Sequence, residues 1–164
     1  MIFEEGEEIV SASNHLFWTI FVRTSNTENK HLRVLTYINI RVSRLYFSLR
    51  KDIFNHRDIN LVSFFNCSHL YFLINIYSDD QQYALKYLKN TKMNLNNVLI
   101  ITGDFNIRDN DWNPLYPHHS THADSLKEIA DSFYLELSTP IDQVLTQYAD
   151  NSQDMNSVLD LIFL

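Results

Sequence analysis

The sequence predicts an α/β fold, a partial two-sheet sandwich flanked by helices, and three observations lead there. Strand-like apolar runs rich in β-branched and aromatic residues recur along the chain. Two segments between such runs carry apolar groups at helical spacing. Hydrophobic residues make up 45%, with 11 Phe and 9 Tyr against 20% charged, which provides enough apolar surface for a core. At 164 residues, without an internal repeat, low-complexity stretch or linker, the chain reads as one domain over 1–164.

In chain order, an acidic head precedes the apolar run 16–22, which reads as a strand, and a polar loop over 24–30 separates it from a second strand over 33–39. Residues 42–56 mix helical and strand spacings and support no assignment. Residues 59–65 and 70–77 flank Asn66, Cys67, Ser68 and His69, the pattern of a β-hairpin. Ser78 and Asp79 are N-cap residues for a helix that places Ala84, Leu85, Tyr87 and Leu88 on one side and runs to about Lys92. The continuous apolar run 98–102 has the character of a strand buried on both faces and ends in Gly103 and Asp104. Residues 109–121 are loop-like. A second helix over 124–133 turns Leu126, Ile129, Ala130 and Phe133 inward, and Ser138 to Pro140 closes that unit. After a polar stretch over 147–156, residues 158–164 form the last strand.

Composition excludes several classes. With only 2 Gly and 3 Pro, collagen-like and Pro-rich architectures are out, and Asn must carry much of the turn chemistry. A single cysteine, Cys67, excludes an intrachain disulfide framework or a Cys-based zinc knuckle and points to an intracellular chain, with a nuclear location open to it. The acidic start is unlike a secretory leader, and no apolar run approaches the ~20 residues of a membrane span. A net charge of −7 argues against a general nucleic-acid coat, while leaving room for a nuclease whose metal ion bridges the charge.

The chemistry concentrates in residues 100–106. A buried strand delivers Asp104 and Asn106 to its C-terminal end, and strand alternation sets both on one side with Phe105 pointing away. A carboxylate there can accept a proton from water or bind a metal, and an amide can hold a phosphate oxygen. Taken alone, Gly-Asp-x-Asn reads better as a capped strand end with a turn behind it.

An apolar strand followed by Gly103, Asp104, Phe105 and Asn106 resembles the signature of the endonuclease/exonuclease/phosphatase superfamily. More narrowly, the chain resembles the endonuclease domains of non-LTR retrotransposons. Asn75 and Tyr77 match the Asn-x-Tyr element of those domains, and Ser157 with Asp160 matches their Ser-x-x-Asp strand, so the likeness spans roughly 33–164. It implies metal-dependent hydrolysis of a DNA phosphodiester with Mg²⁺ as cofactor and DNA as partner. By resemblance, Tyr77 donates its hydroxyl to the scissile phosphate, Asp104 orients or deprotonates the attacking water and is the one candidate metal ligand, Asn106 contacts the phosphate, and Asp160 fixes a catalytic histidine.

The pattern departs from the family at both ends. The Gln-Glu element that holds the metal, the Asn on the first strand and the C-terminal Ser-Asp-His element find no counterpart. Glu4, Glu5, Glu7, Glu8 and Asn14 lack the strand context. The expectation is therefore an incomplete domain with edge strands missing and little or no activity by itself. Two other functions stay open: a non-catalytic relic or binding module, and a phosphatase or phosphodiesterase for small phosphate esters.

Three weaker features complete the reading. His118, His119, His122 and Asp124 would suit a transition metal if a helix began before His118, but Pro117 favours a solvated loop. Arg41, Arg44, Arg50, Lys51, His56 and Arg57 form the one dense basic stretch, a nucleic-acid contact or an ordinary solvated face. Trp18 and Trp112 offer base stacking or, more in keeping with their apolar surroundings, core anchors.

Overall fold

A computed structural model describes residues 17–22, 33–39, 45–91, 95–113, 116–138 and 160–164. Within them, β4 (Ile59–Asn66) and β5 (His69–Tyr77) form the predicted hairpin, in register from Ile59 opposite Ile76 to Asn66 opposite His69. Its two-residue turn has φ of 45° at Cys67 and 72° at Ser68. Positive φ at both central residues matches the right-handed twist of the strands, and in this glycine-poor chain ordinary side chains adopt it.

The hairpin belongs to a five-stranded sheet whose order is β3 (Phe47–Leu49), β4, β5, β6 (Val98–Asp104) and β7 (Asp160–Phe163). Strand β3 (Phe47–Leu49) lies in the stretch that had no assignment and pairs antiparallel with β4. Strand β6 (Val98–Asp104) runs parallel to β5, and β7 (Asp160–Phe163) antiparallel to β6. The crossover between the parallel pair contains helix α1 (Tyr83–Asn90), and helix α2 (Thr121–Asp131) follows β6. Beyond β7, Leu164 and Glu136 exchange backbone hydrogen bonds at 3.0 Å and Ser138 N–H donates to the Ile162 carbonyl at 2.8 Å, so the end of the α2 unit extends the sheet edge. A separate two-stranded sheet joins β1 (Trp18–Val22) antiparallel to β2 (Leu35–Asn39).

Period-two alternation sorts the large sheet into two faces. Ile59, Leu61, Ile74, Ile76, Ile101, Leu161 and Phe163 point to one side and are buried against Ala84, Leu85 and Leu88 of α1 and Ala123, Leu126 and Ile129 of α2. Directly opposed on the other side, Asn60 and Asn75 reach the two-stranded sheet. Asn75 Nδ2 donates to the Leu35 carbonyl at 3.0 Å and Thr36 Oγ1 at 3.2 Å, while Asn60 Nδ2 is shared among the Phe21 and Val34 carbonyls and Thr36 Oγ1 at 3.2–3.3 Å.

Several elements differ in detail from expectation. Helix α1 begins at Tyr83, after Gln82 in a left-handed conformation with φ 57°, and not at Ser78 or Asp79. Ser78 Oγ instead donates to Gln82 Oε1 at 2.8 Å, and the Asp79 carboxylate accepts from Arg33 at 3.2 Å, so neither side chain caps the helix. Helix α2 starts three residues earlier than its apolar pattern suggested, because Ser120 is the cap and accepts from His122 N–H at 3.2 Å. Strand β6 is not buried on both faces: its ladder with β5 steps from Phe72 opposite Val98 to Leu73 opposite Ile100, and the unmatched Leu99 is 40% exposed. The expected strand residues Leu16, Val158 and Leu159, and Ser157 and the acidic head before them, lie outside the described residues. No helix among the described residues is long and apolar enough to cross a membrane.

Near the end of β6, Gly103 has φ +146°, and a Cβ built there would lie 1.8 Å from the Ile76 carbonyl oxygen of β5. Backbone atoms cannot retreat as a flexible side chain can, so the parallel strands approach this closely only with glycine. Gly103→Ala is expected to destabilise the fold by roughly 2–4 kcal/mol through overpacking and backbone strain; the urea midpoint of the purified variant measures it.

Candidate functional site

Strand register places three of the expected site residues in one row. Tyr77 is the partner of Asp104 across the parallel β5–β6 ladder, and Asp104 the partner of Asp160 across the antiparallel β6–β7 ladder. Their neighbours Ile76, Gly103 and Leu161 occupy the helix side, with Ile76 and Leu161 buried there, so the row lies on the face opposite the helices. Phe105 points away from this face and is fully buried in the core.

Asp104 is half-buried, and its Oδ1 accepts the Asn106 backbone N–H at 3.0 Å. Burial raises its carboxyl above the usual carboxylate range; the Asn106 N–H opposes that, and the charge of Asp160 adds to it. Asn106 has φ 51° and thus folds back to make this bond. Its side chain does not join the row: Nδ2 donates to Asp80 Oδ1 at 2.8 Å and lines a shallow depression of about 480 Å³ beside Arg108, His119 and His122.

Tyr77 is held at two points. Its backbone N–H donates to the Asp58 carbonyl at 3.0 Å, and the Arg33 guanidinium lies 4.6 Å from its ring centroid. Arg33 and Asp80 are neighbours of site residues that sequence spacing did not single out. Both arrive from distant chain positions, and neither belongs to a local motif that would have marked it.

The histidine cluster is organised differently from a helical metal site. Because α2 begins at Thr121, His118 and His122 do not share a helix face. His119 bridges two carboxylates, with Nδ1 2.9 Å from Asp109 Oδ2 and Nε2 2.8 Å from Asp124 Oδ1. The hydrogen bond to Asp124 raises the imidazole's proton affinity, burial opposes the shift, and the charges of Asp109 and Asp124 add to it. Asp109, fully buried, also accepts from Ser120 N–H at 2.7 Å and Asp111 N–H at 3.0 Å. Among the described residues, Asp109, Asp111 and His119 are the one metal-capable group of three, with ligand atoms within 4.8 Å of one another. Each is already engaged, since Lys127 pairs with Asp111 and Asp124 with His119, and these pairs fasten the cluster to α2.

Of the basic stretch, Arg50 pairs with Asp52 at 2.7 Å, Arg57 with Asp58 at 3.2 Å, and His56 Nδ1 accepts the Asp58 N–H at 3.2 Å. Arg41 and Arg44 lie outside the described residues. Trp112 is a core anchor, 1% exposed, with Nε1 donating to the Ile107 carbonyl at 3.0 Å, whereas Trp18 is 41% exposed.

Residues 71–164, more than half of the chain, match the sequence profile of a family described as endonuclease-reverse transcriptase. No curated protein sequence matches. Among solved structures, the endonuclease domain of TRAS1, a telomere-specific non-LTR retrotransposon, superposes with a TM-score of 0.65 at 14% identity over 89% of this chain. The chain spans 66% of the length of that domain, and at this identity the likeness establishes the fold.

The raised Asp104 carboxyl has a consequence for stability. A carboxyl whose folded-state proton affinity exceeds its unfolded one favours folding while protonated, and that contribution disappears as pH rises through its folded value. Asp104→Asn, which retains an oxygen to accept the Asn106 N–H, is therefore expected to raise the urea midpoint at pH 7, with the gain fading as pH falls into the ordinary carboxylate range. Parallel urea titrations across that window check it.

Proposed function

The chain belongs to the endonuclease-reverse transcriptase family, and from that premise we propose that its Tyr77–Asp104–Asp160 face hydrolyses a DNA phosphodiester with a bound divalent metal, weakly or not at all as this chain alone. The observation that carries the reading is the row itself: a phenol and two carboxylates on three adjacent strands, opposite the face that builds the core. Residues that only build a core have no need of that chemistry.

The donor set suits a hard cation. Asp104 and Asp160 repel one another enough to contribute to the upward shift of Asp104, and Mg²⁺ is commonly held by one or two carboxylates together with substrate phosphate oxygens. These two residues would hold it, and it would supply neutralisation of the phosphate charge. Asp104 is the acceptor for the proton of an attacking water. Tyr77 donates its hydroxyl to a non-bridging oxygen, where negative charge grows. Asn106 fixes the Asp104 carboxylate through its backbone N–H and turns its amide to the phosphate once it leaves Asp80.

Low activity follows from the same inventory. Among the described residues no histidine or glutamate forms a group of three with Asp104 and Asp160. That observation also favours a second reading, a nucleic-acid-binding relic whose affinity is indifferent to Mg²⁺.

Plasmid nicking with Mg²⁺, Mn²⁺ or EDTA tests both readings. Weak, metal-dependent nicking is expected that EDTA and Asp104→Ala abolish and that Tyr77→Phe lowers by about 100-fold. Nicking that persists in EDTA or in Asp104→Ala overturns the assignment. DNA binding unaffected by metal, with no nicking above the Asp104→Ala background, leaves the relic. Hydrolysis of small phosphate esters with DNA left intact would move the substrate to that class.

A further inference from the structure

Arg33 lies just before β2, yet its guanidinium is committed to the rim of the large sheet. Nε and Nη2 donate to the two carboxylate oxygens of Asp58 at 2.8 and 2.6 Å, and Nη2 also reaches Asp79 Oδ2 at 3.2 Å. Asp58 is 1% exposed, and a buried carboxylate requires such a partner, to which Arg57 adds a contact at 3.2 Å. The two acids bracket Tyr77: the Asp58 carbonyl accepts its N–H at 3.0 Å, and Asp79 follows two residues later. Burial pushes the Asp79 carboxyl up, and the hydrogen bond and charge of Arg33, with backbone N–H groups nearby, outweigh it, leaving the group below its usual range.

A guanidinium held in a bidentate fork keeps little rotational freedom, so the ring it faces packs against a fixed plane. The Arg33 Cζ lies 4.6 Å from the Tyr77 centroid, within the range of a cation–π contact. Two arginines and two aspartates also leave the cluster neutral, which makes it poorly suited to attracting a phosphate and well suited to holding an aromatic ring.

We propose that Arg33 is a positioning residue: clamped by Asp58 and Asp79, it holds the Tyr77 ring so that its hydroxyl keeps a fixed place beside Asp104. The catalytic consequence rests on the function proposed above; the positioning itself does not. Displacement of a reacting group by about 1 Å can cost on the order of 100-fold in rate, so a clamp acting only through Tyr77 has a measurable effect. Lysine keeps the charge and loses both the fork and the plane, which makes Arg33→Lys the informative variant.

The test uses the whole chain with 3-fluorotyrosine at its 9 tyrosines, the Tyr77 signal in the ¹⁹F spectrum being assigned by its loss in Tyr77→Phe. Arg33→Lys is expected to move or broaden that resonance toward solvent-exposed tyrosine and leave the others in place; an unchanged Tyr77 signal overturns the proposal. Collapse of every signal marks unfolding, and the charge-neutral pair Arg33→Met with Asp58→Asn then decides by the same resonance. In nicking assays Arg33→Lys is expected to lower kcat about as far as Tyr77→Phe does, with KM within about twofold. The double variant is expected to be no worse than Tyr77→Phe, and additive losses refute action through Tyr77. A chain silent in nicking is the inactive case that the proposed function allows, and the fluorine spectrum then decides the role of Arg33.

Discussion

The close parallel approach of β5 and β6 at Gly103 is the constraint from which the rest of the site follows. The glycine lets the Ile76 carbonyl sit where any side chain would be, and that contact fixes the ladder in the register that opposes Tyr77 to Asp104. The Ser78 N–H then continues the pairing by donating to the Asp104 carbonyl at 2.8 Å. A one-residue slip would turn every side chain of the strand to the other face, sending Asp104 into the apolar core and Phe105 into solvent. Burial of Phe105 against Phe163, with ring centroids 6.1 Å apart, therefore opposes such a slip from the side of β7. Packing on the helix face and chemistry on the other face are two readings of one register.

Polar struts fix the second sheet against the first. Asn60 and Asn75 stand side by side on the hairpin and donate into β2, and Thr36 Oγ1 receives both. Apolar contacts alone would let the two sheets slide, because they have little directional preference. A buried amide deprived of its acceptors costs about 1–3 kcal/mol, so displaced positions of β2 are penalised. The Arg33–Asp58 pair acts in the same direction at the sheet rim, and it carries the small sheet's position to Tyr77. Asn75 is thereby explained as a structural member of the motif it shares with Tyr77: one residue sets the distance between the sheets, and the other uses the surface that this leaves.

The sequence displayed the hairpin, both helices and Asp104 for local reasons, whereas Tyr77 and Asp160 stood out only through the family resemblance. Alternation around Asn66 to His69 needed only a turn, and Asp104 followed an apolar run whose direction fixed which side it faced. What escaped was decided by partners distant in sequence. Asp79 looked like an N-cap, but Arg33 claims its carboxylate from the other sheet, and the helix starts after Gln82 instead. Ser120 was hidden as a cap by the loop-like composition around it. Leu99 looked buried like its neighbours until the bulge against Phe72 and Leu73 set it outside the alternation. Asn106 is the instructive case: local spacing placed it beside Asp104, and it is beside Asp104, but through its backbone, because the left-handed turn at φ 51° sends the amide to Asp80.

Electrostatics set the terms on which such a surface could serve a polyanion. The chain carries a net −7, the row contributes two carboxylates, and Arg33, Arg50 and Arg57 are all paired with aspartates. Long-range attraction for DNA comes from clustered, uncompensated Lys and Arg, which these three paired arginines do not provide. A phosphate approaching Asp104 and Asp160 meets repulsion that shape and hydrogen bonding from Tyr77 do not offset alone. A divalent cation bound there would reverse that sign locally, and the pair that repels a phosphate would then anchor its counter-charge. Burial is the largest cause of the raised proton affinity of Asp104 and the charge of Asp160 adds to it, so a cation held between the two carboxylates, as proposed above, would relieve the part of that tension that the neighbouring charge creates.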